Sequence, residues 1–476
     1  CMSCSFIERN KKSLLHGCTC PVNPWGLLGM HFMARASWAC CQAGGFQLPQ
    51  NLAGEKRPKG RAMSSIRKSL LQFVFAGSFM KRWNDKLRPV ELFEVDKQAH
   101  KMITAWVLTT LSSEGLDAEE RLALGQEVVE GGIFEYLYRL VITDIKPPIF
   151  YQIRSNPVHY QQLTEWVLEK LEPRVHSLGQ DFWERLKAYF QDTTSPGQGQ
   201  RILQAAHLFA SQWEFSLIKG INPWDEELEE IEANFASSLE GYQDIPGVAS
   251  LIQEQQTALR RFVVQCGQLR FQKRWSQTPR IPETSVLGHM FIVACYAYFF
   301  SLVLGSCRQQ SQNNFFAGLF HDLPELLTRD IISPVKRSVQ KIGDLIKEYE
   351  DEEVRRRVIN VLEQGGYTTL SQRLSYFLGV ELGSEFLPTI IQNGQCREVT
   401  TEQLRTRFNS NDSDPKDGEL LKVCDSLAAF IEAYTAMRNG ITTDQLQQAV
   451  WRIRSDYSQV SLGNGVHIGS LLADFD

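Results

Sequence analysis

The chain of 476 residues is 43% hydrophobic and 22% charged, with a formal net charge of −5. That composition is globular, and the length suffices for two or three domains. It argues against a basic surface built for nucleic acid or an anionic membrane, yet leaves room for a small phosphorylated substrate held by a local cationic pocket or a metal.

Six of the 11 cysteines fall in the first 41 residues: Cys1, Cys4, Cys18, Cys20, Cys40 and Cys41. Their spacing lacks the second pair that a zinc module needs. The stretch also lacks the basic start, apolar run and small-residue cleavage site of a signal peptide. Residues 1–62 are therefore expected to be an extension outside the fold, upstream of a start at Met63. The other five cysteines are scattered without ligand spacing and read as small buried hydrophobes of a reducing, cytoplasmic protein.

From Ser64 onward the pattern is helical. Segments such as EVDKQAHKMITAWVLTTL, RILQAAHLFASQWEFSLI and LLKVCDSLAAFIEAYTAM place apolar residues at i, i+3, i+4 and i+7. Breakers separate them, among them KPP at 146–148, TTSPGQGQ at 193–200 and TPRIP at 278–282. Residues 290–307 carry no charge over 18 positions. That run is short for a bilayer span and is read as a helix buried on all faces. An all-α architecture follows.

The chain repeats itself weakly but in order. FEYLYRLVITDIKPPI (134–149) aligns without a gap to FHDLPELLTRDIISPV (320–335), KRW at 81–83 to KRW at 273–275, and ILQAAHLFASQWEF (202–215) to LLKVCDSLAAFIEA (420–433). His100 then falls near His289, three residues out of register. Two related helical lobes are expected, 63–255 and 256–476, with a boundary near GYQDIPGV.

The second lobe carries the chemistry. His289, His321, Asp322 and Asp425 are imidazole and carboxylate ligands suited to a divalent ion, brought in from separate helices as in metal sites of bundle cores. Singly, each has a plainer reading as a satisfied core histidine or a surface ion-pair partner. Together they match the H…HD…D signature of the HD-domain metal-dependent phosphohydrolases. FHDLPELLTRDIISPVK further resembles the bacterial 5′-deoxynucleotidase branch, whose motif places His321, Asp322, Glu325, Thr328, Asp330, Pro334 and Lys336. Arg274–Trp275 upstream also fits that branch. Many family members have an acidic residue before the first histidine, where this chain has Gly288.

The resemblance implies an all-α catalytic HD lobe behind a degenerate HD-like lobe. It implies one divalent ion (Mn²⁺, Co²⁺, Mg²⁺, Zn²⁺ or Fe²⁺) on His289, His321, Asp322 and Asp425, activating water against a phosphate ester. Glu325 is the expected general acid/base, and Asp330 is expected to orient the nucleophile or hold the sugar. Arg274 and Lys336 are expected to meet phosphate oxygens, and Trp275 the ribose or base. The expected substrate is a nucleoside 5′-monophosphate, with nucleoside triphosphates, cyclic nucleotides or turnover-free sensing as alternatives. Neither nucleic acid nor membrane is an expected partner, and a homodimer is compatible with the sequence.

In the first lobe, Glu135–Tyr136 stand where His321–Asp322 do, Arg139 replaces Glu325, and His207 replaces Asp425. Arginine is always protonated and cannot serve as a carboxylate base. A decayed copy kept for packing is expected, or else a different metal site on His100, Glu135 and His207, with Glu130 as a further carboxylate.

Overall fold

Caps and buried stripes set the helices. The structure is a computed structural model, which describes residues 66–192, 195–253, 255–328 and 340–476. The extension at 1–62, Asp330 and Lys336 lie outside the described residues. The short helix Lys68–Phe75 (α1) is followed by two long ones, Glu94–Ser112 (α2) and Ala118–Ile142 (α3). Asp117 and Glu120 form a capping box at the start of α3, satisfying two end donors reciprocally. After several shorter helices comes Gln198–Ile218 (α4). The second half contributes Val286–Leu304 (α5), Arg308–Phe320 (α6) and Gly418–Arg438 (α7). Two small hairpins, Thr389–Gln392 with Gln395–Glu398 and Ser461–Gly463 with Val466–His467, supply the strands among the described residues. The protein is all-α.

The described residues from Ile66 onward form one compact unit, whose main hydrophobic core runs from Ile66 to Phe475 through both halves. Its axis is α5. Ser285 caps this helix by accepting from Gly288 N, and Gly305 ends it in the left-handed region at φ 73°. Length and composition would let α5 cross a membrane, but 89% of its apolar window is buried inside the protein. The uncharged run is thus explained by core packing on every face. Tyr296 Oη donates to Leu71 O at 2.8 Å, tying α5 to α1. Gly318 lets α6 lie against α5: a Cβ there would stand 2.8 Å from Ala294 Cα. That close approach holds the C-terminal end of α6 beside the N-terminal half of α5.

The sequence repeat is also a structural one. Lys81 bridges Phe93 as Lys273 bridges Ser285. Trp83 and Trp275 both take positive φ, 54° and 57°, a costly conformation for a bulky residue that recurs because the same turn is built twice. Their indoles donate to matching glutamates, Trp83 to Glu214 at 3.1 Å and Trp275 to Glu432 at 2.8 Å. Counting on from the two bridges, the residue matching His289 is Lys97. The expected match to His100 is corrected by one helical turn.

The same pairing brings Asp96 and Gly288 together. A Cβ at Gly288 would lie 2.6 Å from Asp96 Oδ1 and 2.8 Å from Val95 Cγ1. Asp96 accepts from Ser285 Oγ at 2.5 Å, and burial raises its carboxyl above the usual range. The side chain missing at Gly288 is replaced by a carboxylate from the first half. Gly288→Ala is therefore expected to cost about 1–3 kcal/mol by overpacking. Urea midpoints should show part of the loss recovered in Asp96→Ala/Gly288→Ala; strictly additive losses would contradict the contact.

Candidate metal centre

Three elements converge on the site. His289 comes from the first turn of α5 and is fully buried. Helix α6 ends at Phe320, and His321 is its C-cap, followed by a turn through Pro324. The His–Asp pair therefore sits at a helix end and not in mid-helix. Leaving the helix frees the pair from the 100° divergence of adjacent helical residues. Asp425 comes from α7, which Asp417 caps by accepting from Leu420 N at 2.9 Å.

Ligand atoms of His289, His321 and Asp425 all lie within 4.8 Å of one another. Asp322 Oδ2 stands 3.2 Å from His321 Nε2 and 3.7 Å from His289 Nε2. His289 Nε2 is 3.2 Å from Asp425 Oδ1. His321 Nδ1 donates to Gly318 O at 2.9 Å, which fixes the ring and turns Nε2 toward the cluster. That buried Nε2 has no hydrogen-bond partner. A buried ring nitrogen turned toward two carboxylates and a second imidazole fits a divalent cation.

Electrostatics agree. Burial alone would raise both aspartates. For Asp322, the neighbouring His321, His289 and Arg274 outweigh it and hold the carboxyl well below its usual range. For Asp425, Lys422 and the two histidines do the same. Both carboxylates are therefore anionic at neutral pH.

A supporting shell surrounds the ligands. Glu432, fully buried on α7, accepts from Trp275 Nε1 at 2.8 Å, Thr284 Oγ1 at 2.9 Å and Arg274 Nε at 3.3 Å. His289 Nδ1 faces it at 3.5 Å. A carboxylate behind a ligating imidazole orients the ring and raises its basicity. Arg274 also reaches Asp322 Oδ2 at 3.3 Å, so its guanidinium spans the ligand and the supporting carboxylate. Burial would lower its pKa, but Glu432, Asp322, Asp425 and Glu325 keep it firmly charged. Trp275 is partly buried against the Ala433–Ala436–Leu446 cluster, its indole committed to Glu432.

Glu325 opens the short helix Glu325–Thr328 just past the turn, and is 7% exposed. Lys422 and Phe386 stand at the rim. Lys422 Nζ is 2.9 Å from Asp425 Oδ2 and 4.3 Å from the Phe386 ring, whose centroid lies 6.5 Å from that of His321. Glu432, Lys422 and Phe386 were missed as functional residues in the sequence. For Glu432 the signal was its alignment with Glu214; for Lys422 it was the spacing of one helical turn before Asp425.

The first half arranges its matching residues differently. Lys97 Nζ donates to His207 Nδ1 at 2.6 Å, and Lys101 pairs with Glu135. Burial, then the charges of Lys97 and Lys101, push the His207 imidazole well below its usual range. Burial also drives the Lys97 ammonium down to about 7. His100 lies elsewhere, its Nε2 on Val263 O at 3.0 Å and its ring against Trp213. Glu130 is taken up by Arg185 and Tyr298. The alternative metal site on His100, Glu135 and His207 is thus corrected: lysine ammonium groups occupy the place, and the described residues gather metal ligands in the second half only.

An all-α scaffold turns two imidazoles and two carboxylates toward one point, backed by a buried glutamate, an arrangement that fits a divalent cation. Residues 266–454 match the family model for the HD domain. No curated protein and no solved structure matches the chain.

Proposed function

We propose that the protein hydrolyses small phosphate monoesters, with nucleoside 5′-monophosphates as the substrate class, in a reducing cytoplasmic setting. The observation that carries the reading is the convergence of His289, His321, Asp322 and Asp425 around an orphaned imidazole nitrogen, with Glu325 alongside. A divalent ion held by these four would supply Lewis-acid charge for the phosphate and lower the pKa of water. The chain's own groups do the rest. Glu325 takes the proton of the attacking water as the new P–O bond forms. It returns that proton to the leaving 5′-oxygen as the ester P–O bond breaks. Arg274, already charged and anchored, offers its free edge to phosphate oxygens, and Lys422 adds a second cation at the rim. Free cysteines at all five described positions accord with a reducing compartment.

Phosphate release from a nucleotide panel with added Mn²⁺ or Co²⁺ tests this. Nucleoside 5′-monophosphates should be turned over, and Glu325→Gln should lower kcat by about 10²–10⁴-fold while retaining metal. Equal release by native protein and variant would remove Glu325 from the reaction. Binding without release by either would point to a sensor.

A further inference from the structure

The first-half site is built around a buried lysine with no carboxylate in direct contact. Lys97, 2% exposed, stands where His289 stands in the second half. The carboxylates around it are committed to other cations. Glu214 holds Arg82 and Arg270, Glu94 holds Arg82 and Arg139, and Glu135 holds Lys101. Among the described residues none lies within salt-bridge distance of Lys97, whose hydrogen bond goes to an imidazole. An ammonium has three protons to donate, and burying one beside a neutral acceptor is unfavourable unless an anion completes it. The site is not sealed: His207 and Tyr189 are partly exposed, and the side chains of Glu135 and Arg139 are 31% and 21% exposed. At this partly exposed edge Tyr189 Oη donates to Glu135 at 2.7 Å, and the Arg139 guanidinium pairs with Glu94 and Asp144.

We propose that this first-half site binds the phosphate group of a small phosphoester without hydrolysing it. Lys97, with Lys101 beside it, provides as side-chain charge the positive centre that a divalent ion would provide in the second half. Lysine attracts phosphate as a point charge. It supplies no Lewis-acid site for water, and the general base position holds Arg139. The two halves thus take the same chemical group, one to cleave it and one to hold it. The choice of phosphate rests on the reading of the second half; the need for an anion rests on Lys97 itself.

The test uses the full chain carrying Asp322→Ala, treated with EDTA, so that metal-dependent binding in the second half is absent. Calorimetric titration with inorganic phosphate should show one equivalent bound, and the thermal transition should rise with phosphate but not with equal chloride. Lys97→Met in the same background should weaken binding at least tenfold while keeping a cooperative transition. Arg139→Gln, at the partly exposed edge, should weaken it severalfold and decides the matter if Lys97→Met does not fold. An absence of phosphate-dependent heat at millimolar concentration, or undiminished binding in the folded variants, overturns the proposal. If phosphate fails to bind here while the parent chain still releases phosphate from nucleotides, only this inference falls. If it binds while no nucleotide is turned over, only the hydrolase reading falls.

Discussion

Asp322→Ala is expected to lower turnover of the phosphoester substrate by at least about 10³-fold, which corresponds to about 4 kcal/mol of transition-state stabilisation. Asp322 Oδ2 lies among His321 Nε2, His289 Nε2 and Arg274 Nη1 at 3.2, 3.7 and 3.3 Å. Removing it takes one of two carboxylates from the proposed cation site and one of two from Arg274. Glu432 still holds Arg274, so the fold should survive, and thermal unfolding should change far less than activity. Steady-state kinetics with and without excess Mn²⁺ separate two causes. If added metal restores the rate, the loss is in affinity; if it does not, the carboxylate also shapes the reacting geometry. An activity loss under tenfold would remove Asp322 from the centre.

Glu432→Gln is expected to cost both stability and metal. The carboxylate is fully buried and serves Arg274, Trp275, Thr284 and His289 together. Leaving the Arg274 charge without this partner should cost about 3–5 kcal/mol in urea denaturation. Losing the acceptor behind His289 should also weaken metal binding by about 10–100-fold. Glu214→Gln is the matched control, because Glu214 holds Arg82, Arg270 and Trp83 in the same way on the other half. It should cost comparable stability and leave metal affinity at the native value. If both variants lost metal equally, the effect would be general loosening of the fold and not orientation of His289.

Much of this was legible in the residues. Helical spacing and breakers sufficed for an all-α chain, and the H…HD…D string with Arg274–Trp275 named the groups that the structure brings together. What failed was register. Helices with apolar residues every three to four positions look alike when slid by a turn, so His100 competed with Lys97 for the place of His289. Only the backbone bridges Lys81–Phe93 and Lys273–Ser285 resolve the alignment. The helix end at Phe320 could have been read from Pro324, since proline disfavours helix at the preceding residue. Glu432 could not be assigned a role from spacing, because its partners Arg274 and Trp275 lie far away in sequence. The carboxylate that Asp96 lends to the space at Gly288 was equally hidden, being a contact between halves.

Metal content per chain is the measurement closest to the central claim. Purified protein, dialysed against metal-free buffer, should retain one equivalent of divalent metal per chain by elemental analysis, and the combined variant His321→Ala/Asp425→Ala should retain none. A native chain that holds no divalent ion, or a variant that keeps its full equivalent, would contradict the account.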